Sequence, residues 1–279
     1  MKLYRILSTE TLAPNIHRYR IAAPRIARKA RPGQFIILMV DNLGERIPLT
    51  IADWDSKEGS VTVVFNEVGR TTHKLASLNA GDSIMTFTGP LGIPAHVEKF
   101  GTVVCVVAGY STATCLPIVK SLKSAGNRVV VIIRAPTKDM LFGDAPLKSV
   151  ADQVIVSTGD GSFECVGFVL EPLKQVLQQE KVDRVFTAGP VCMMKLVANT
   201  TKPSKIPTVA SLNPIMVDGT GMCGCCRVVI GGETKFACVD GPEFDAHLVD
   251  WASLMARRCT YSVDTQSPVK YQCLNCAQW

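Results

Sequence analysis

The sequence predicts an α+β multidomain chain with an antiparallel β unit, then a parallel α/β unit, then a small C-terminal unit held together by metal. Three observations carry this. Short alternating runs broken by Gly and Pro fill residues 4–100, and after Phe100 continuous apolar strands alternate with helical stretches. Seven of the eleven cysteines follow position 222.

The bulk numbers agree with such a chain. At 279 residues and 47% hydrophobic content it can bury two modest cores and a smaller appendage. Only 19% of residues are charged, and Gly, Pro and Ser are scattered, so no low-complexity linker, disordered tail or repeat is expected. A net charge of +6 could attract an acidic redox partner or a phosphate-bearing cofactor, but Lys and Arg are dispersed over what reads as an ordinary solvated surface. No basic stripe with interleaved aromatics is present, which excludes nucleic-acid binding.

The first unit rests on runs such as residues 34–40 and 60–65, separated by turn signals at Arg31-Pro32-Gly33 and Leu43-Gly44. This pattern fits an antiparallel barrel or a sandwich. The second unit opens with an apolar strand over residues 102–107, a turn, and an amphipathic helix to about Ser124. Strands over 128–134, 153–157 and 184–187 and a helix over 167–179 follow, the alternation of a parallel sheet. The third unit, from about Val209, has short strands at 226–230 and 234–239 joined by Gly231-Gly232. It is too small for a large core of its own and calls for a staple.

Residues 102–119 form the longest uncharged stretch, but Gly109, Ser111, Thr112, Thr114 and Pro117 suit a buried strand, turn and helix start better than a membrane span. Lys2 and Arg5 precede no apolar segment of leader length, so the expected compartment is the cytoplasm.

A reducing compartment argues against a disulfide framework, which makes metal the economical explanation for the clustered cysteines. The spacing Asp218-x4-Cys223-x2-Cys226-x11-Cys238 is the plant-type [2Fe-2S] pattern with the first thiolate replaced by a carboxylate. Gly219, Gly221 and Gly224 can take positive φ and aim backbone N–H groups inward at sulfide, and Arg227 adds positive potential. The alternatives are a four-cysteine zinc site with Cys225 in place of Asp218, and inert buried thiols. Zinc sites usually pair two knuckles rather than use one compact loop, which favours the cluster, with Cys225 beside it. Cys259, Cys273 and Cys276 are one thiol short of a second four-ligand site, so they are either free or structural cysteines or a site completed by a partner chain.

The run Ser211-Leu212-Asn213-Pro214-Ile215-Met216-Val217-Asp218-Gly219-Thr220-Gly221-Met222-Cys223-Gly224, with Phe236-Ala237-Cys238-Val239-Asp240-Gly241-Pro242-Glu243-Phe244, resembles the small (alpha) subunit of NADH-dependent ferredoxin:NADP oxidoreductase. That family, also known as a sulfide dehydrogenase subunit, is related to the dihydroorotate dehydrogenase electron-transfer subunit and to the ferredoxin reductase superfamily. The resemblance covers about residues 1–258. It implies an FAD-binding β-barrel over 1–100, a ferredoxin-reductase-type nicotinamide-binding-like α/β domain over 101–208, a [2Fe-2S] domain over 209–258 and a Cys-containing tail over 259–279. It also implies Asp218, Cys223, Cys226 and Cys238 as the iron ligands.

Arg46-Ile47-Pro48-Leu49-Thr50 resembles the family segment that holds isoalloxazine and pyrophosphate, so Arg46, Pro48, Leu49 and Thr50 are expected at FAD, Arg46 neutralising phosphate charge. Val68-Gly69-Arg70-Thr71-Thr72 resembles the second element, a turn opening a helix, which adds Gly69, Thr71 and Thr72. The backbone of Val64, Phe65 and Asn66 is expected alongside.

The pattern breaks at the nicotinamide site. Relatives carry a Gly-rich turn after the first α/β strand, whereas here the run is Val107-Ala108-Gly109-Tyr110-Ser111-Thr112-Ala113-Thr114, which leaves Gly109 as the remaining candidate for binding NAD(P)H. Each added side chain puts a Cβ where a phosphate needs none. Glu164, where relatives have Gly, would repel a phosphate, although Ala188-Gly189-Pro190-Val191-Cys192-Met193-Met194 still resembles the Gly-Pro-x-x-Met element beside the nicotinamide.

The expectation is therefore a flavin and iron-sulfur electron-transfer subunit of a larger oxidoreductase. It would relay electrons between FAD and a [2Fe-2S] cluster toward a larger flavoprotein or iron-sulfur subunit, with a degenerate NAD(P)H site and with ferredoxin as a further candidate partner. The rival readings are an active NAD(P)H:ferredoxin oxidoreductase subunit and a non-redox structural or regulatory subunit.

Overall fold

The structure, a computed structural model, describes residues 4–163, 165–166 and 169–259, with the side chains of 165, 166, 258 and 259 excepted. Glu164, Cys273 and Cys276 lie outside the described residues, as do the side chains of Cys165 and Cys259.

The N-terminal strands are β1 (Tyr4–Ala13), β2 (Ile16–Ala22), β3 (Phe35–Met39), β4 (Ile47–Asp55), β5 (Ser60–Asn66), β6 (Ser83–Ile84) and β7 (Thr86–Leu91). Helices α1 (Pro24–Ala27) and α2 (Arg70–Ala76) sit in the connections. The strands form one antiparallel sheet in the order β6-β1-β2-β5-β4-β3-β7. Its two edge strands are separated in sequence by Met85 alone, so the sheet curls until its edges nearly meet. That decides between barrel and sandwich. Ile6, Ile21, Ile36, Leu38, Ile51, Val61, Val63, Phe65 and Phe87 fill the interior. The buried hydroxyl of Tyr19 donates to the carbonyl of Leu78 at 2.8 Å, tying the end of α2 to the barrel.

The α/β unit contains β8 (Thr102–Ala108), α3 (Ser111–Ser124), β9 (Arg128–Ala135), α4 (Asp144–Lys148), β10 (Gln153–Thr158), β11 (Cys165–Val166), α5 (Leu170–Gln179), β12 (Arg184–Ala188), α6 (Val191–Thr201) and β13 (Thr208–Ser211). Successive β8 residues serve opposite faces of the sheet. Val103, Cys105 and Val107 pack with α3 residues Cys115, Ile118 and Val119, whereas Val104, Val106 and Ala108 pack with Leu173, Val176, Met193 and Val197 of α5 and α6. Burial on both faces explains the unbroken apolar run.

The last section consists of the hairpin β14 (Arg227–Ile230) and β15 (Glu233–Phe236), the strand β16 (Glu243–Asp245) and the helix α7 (Trp251–Cys259). It does not stand apart. β16 pairs antiparallel with β13 and completes the sheet order β11-β10-β9-β8-β12-β13-β16. The apolar side chains of the section share one core with Phe35 and Ile37 of the barrel and with Val191, Met194 and Ala198 of α6. A section this small gains its burial by borrowing from its neighbours. Among the described residues no helix is long and apolar enough to cross a membrane.

Candidate flavin cleft and metal loop

Strand β4 changes partner half-way. Ile47, Pro48, Leu49 and Thr50 pair with Leu38, Ile37, Ile36 and Phe35 of β3, whereas residues from Ile51 onward pair with Ser60, Val61, Thr62 and Val63 of β5. Val64, Phe65 and Asn66 pair with β2 on their other side. The two strands therefore splay, with Pro48, Leu49 and Thr50 on one lip and Val64, Phe65 and Asn66 on the other. Pro48 has no N–H to donate, which suits a strand whose second side is open there. Arg46 is exposed just before the cleft.

The start of α2 closes the end of the cleft. Gly69 is its extended N-cap, and a Cβ there would meet nothing, so its backbone faces open space. The hydroxyls expected at phosphate are turned to protein partners. Thr72 Oγ1 accepts from the amides of Val68 and Gly69 at 2.9 Å each, and Thr71 Oγ1 donates to Glu45 Oε2 at 3.3 Å.

Sequence reasoning missed the clamp behind this turn. Glu67 Oε1 lies 2.8 Å from His73 Nδ1 on α2, and Glu67 Oε2 lies 2.9 Å from His17 Nε2 on β2. Those two bonds, His73 first, hold the Glu67 carboxyl below its usual range. Its signal was one acidic residue between two histidines far apart in sequence, which no local pattern reveals.

The metal loop bends as its glycines require, with Gly219 at φ +75° and Gly221 at φ +84°. Cys226 and Cys238 are buried, and the Cys226 thiol donates to Cys238 Sγ at 3.1 Å, too long for a disulfide. Burial and the Cys226 neighbour push the Cys238 thiol up to about 12. The Asp218 carboxylate accepts from the amides of Thr220 and Cys223 at 2.9 and 2.8 Å, which hold it low. Cys223 is exposed on the same loop. Among the described residues no three His, Cys, Asp or Glu side chains converge as a single-ion site.

The structure thus brings Cys226 and Cys238 into contact and holds Asp218 and Cys223 on the loop around them. Three thiols, a carboxylate and a loop wrapped on positive-φ glycines fit a [2Fe-2S] cluster by donor chemistry. Cys225 points its thiol at the carbonyl of Cys223, 3.9 Å away. Two guanidinium groups brace the same loop: Arg227 donates to the carbonyl of Gly224, and Arg257 of α7 to that of Cys225, each at 3.0 Å.

The metal loop rests on the barrel beside the candidate flavin cleft. A Cβ on Gly219 would lie 2.6 Å from Leu91 Cδ1 and 2.9 Å from Ile37 Cγ1, and Ile37 is the residue opposite Pro48. The Ile93 amide donates to the Gly241 carbonyl at 2.7 Å and secures the other end.

Residues 213–250 match the family model for the iron-sulfur cluster binding domain of dihydroorotate dehydrogenase B. A Thermotoga maritima protein named as a homolog of the dihydroorotate dehydrogenase B (NAD(+)) electron transfer subunit is 41% identical over 97% of this chain and 95% of its own. The chain belongs to the family of dihydroorotate dehydrogenase B electron transfer subunits. Another relative in the comparison, a Clostridium beijerinckii protein known as the uncharacterized protein in the adh 3′ region, is 46% identical over 94% of this chain and 92% of its own. Among solved structures, a chain of the NADH-dependent reduced ferredoxin-NADP oxidoreductase superposes with a TM-score of 0.89 at 41% identity, covering 94% of each chain. For an electron transfer subunit, the relevant feature is the short structural path from the cleft to the metal loop through Pro48, Ile37 and Gly219.

Proposed function

We propose that this chain is the flavin and iron-sulfur electron-transfer subunit of a larger oxidoreductase, relaying electrons between FAD in the β4/β5 cleft and a [2Fe-2S] cluster on the metal loop. The observation that carries the reading is the seat of Gly219 on Ile37, whose strand partner Pro48 forms a lip of the cleft. Bound FAD exchanges electrons in pairs or singly, and a [2Fe-2S] cluster carries them singly.

The protein's own residues bind and insulate these groups. Arg46, Pro48, Leu49, Thr50, Val64, Phe65, Asn66 and Gly69 hold FAD, with Arg46 placed to neutralise phosphate charge, and Thr71 and Thr72 contribute through the turn that their protein-bonded hydroxyls brace. Asp218, Cys223, Cys226 and Cys238 hold the cluster, and Ile37 and Leu91 exclude water between the two sites. The chain works in three units over 1–100, 101–208 and 209–258, followed by a tail over 259–279. Its partner is a larger flavoprotein or iron-sulfur subunit of the same complex, with ferredoxin as a further electron partner. Cys105 and Cys115, buried side by side without a disulfide between them, support a reducing, cytoplasmic setting.

The test is anaerobic purification of the native complex with flavin, iron and sulfide counted per chain. One FAD and two irons with a low-temperature paramagnetic signal on reduction are expected. Colourless protein, or zinc in place of iron, would overturn the reading in favour of a structural subunit. A second reading, direct NAD(P)H oxidation, is favoured by the names of the relatives, which carry NAD(+) and NADH.

A further inference from the structure

We infer that Tyr110 is a built-in stopper that closes the dinucleotide crevice of the α/β unit, so that the flavin exchanges electrons with protein partners and not with NAD(P)H. The inference rests on the relay reading above and identifies which donors that flavin accepts.

In an open parallel sheet, ligands bind outside the carboxyl ends of the strands where the strand order reverses, with phosphate at the start of the helix that follows the first strand. Here the reversal falls between β8 and β12, and the turn in question is Ala108-Gly109-Tyr110 leading into α3. Gly109 keeps the left-handed conformation at φ +59°, and a Cβ on it would meet nothing. The obstruction lies one residue further on.

Tyr110 is packed between the α/β unit and the outer face of the barrel, against a cluster of Ala13, Ile16, Ala52, Val64 and Phe142. Ala52 follows Thr50 by two residues, and Val64 is itself a lip of the cleft, so the tyrosine stands between the candidate flavin segment and the crevice. Its hydroxyl accepts from Asn213 Nδ2 at 3.0 Å, which ties the turn to the segment that leads into the metal loop.

The first turn of the helix behind it is closely packed as well. The amide of Thr112 is bonded to the Gly109 carbonyl at 3.0 Å, and those of Ala113 and Thr114 to the Tyr110 carbonyl. Ser111 and Thr112 are 4% and 2% exposed. A pyrophosphate arriving there would have to displace a packed aromatic ring that is hydrogen-bonded to Asn213 before reaching the helix start.

The experiment is equilibrium dialysis of NADH and of NADPH against the purified full chain, with flavin and iron counted on the same sample. The wild-type protein is expected to bind both more weakly than about 1 mM, and Tyr110→Gly to bind at least one of them about tenfold more tightly, while Tyr110→Phe, which keeps the ring, stays as weak as wild type. Wild-type binding tighter than about 1 mM overturns the inference, and needs no variant to fold. So does a Tyr110→Gly protein with intact flavin and iron that binds no tighter, or a Tyr110→Phe protein that gains as much as Tyr110→Gly. Failure of the relay reading would show instead as missing flavin or iron, whatever the nucleotide does.

Discussion

The backbone of Gly219 lies directly on the side chain of Ile37. At φ +75° and with Ile37 Cγ1 2.9 Å from where a Cβ would stand, this position admits no side chain without displacing a fully buried residue. The contact joins the metal loop to the strand beside the candidate flavin segment.

Gly219→Ala should therefore cost about 1–3 kcal/mol, from left-handed strain and overpacking together. Gly232→Ala is the control, because Gly232 also has positive φ, at +86°, but a Cβ there meets nothing. Denaturant unfolding should rank Gly219→Ala clearly below Gly232→Ala, and iron content should fall only in the former. Equal losses would mean that the seat on Ile37 is unimportant.

The ligand assignment separates four neighbouring thiols. Alanine at Cys223, Cys226 or Cys238 should remove most of the iron and sulfide, whereas Cys225→Ala should retain both, since Cys225 is turned to the Cys223 carbonyl. Iron and acid-labile sulfide per chain are the readout. Loss of iron in Cys225→Ala would move the fourth ligand away from Asp218.

Arg46 is exposed at the mouth of the cleft. Arg46→Ala should weaken FAD about tenfold or more, the effect of losing a charge-assisted bond of about 1.5–3 kcal/mol. The stability of the apoprotein should stay within about 0.5 kcal/mol, as for other surface changes. Fluorescence titration of FAD into apoprotein measures the first, and denaturant unfolding the second.

Glu243 sets a pH dependence. Its Oε1 is shielded and has no hydrogen-bond partner among the described residues, and burial raises the carboxyl from 4.5 to about 7, with Arg184 opposing. Arg184, His96, Asp240 and Asp245 line the same cavity of about 360 Å³. Between 4.5 and 7 the unfolded chain has lost this proton and the folded chain keeps it, so this group makes stability fall as pH rises through that window and level off above it. The full penalty is at most about 3 kcal/mol. Glu243→Gln should flatten that segment of the stability curve and be the more stable protein at pH 8. A parallel curve for wild type and variant would show that Glu243 ionises freely in the folded state.

What could be read along the chain was whatever depends on neighbours in sequence. Asp218, Cys223 and Cys226 lie within nine residues, so their spacing alone named the cluster chemistry. The residues of β8 serve two faces of one sheet, so their apolar run alone named a buried parallel strand. Helix α7 escaped, although Trp251 and Leu254 stand three apart on its buried side, because nothing in the cysteine pattern required a helix there.

The sequence by itself determined the order of barrel, α/β unit and iron-sulfur section and pointed to the loop that carries the candidate donors, because these follow from spacing, periodicity and backbone freedom at particular residues. Only the tertiary structure decided that the first sheet closes as a barrel, that β16 returns to pair with β13, that Gly219 sits on Ile37 and that Tyr110 is held by Asn213 across 103 positions. Those relationships join segments distant in sequence, and they form because a small C-terminal section must bury its apolar side chains against the two larger units.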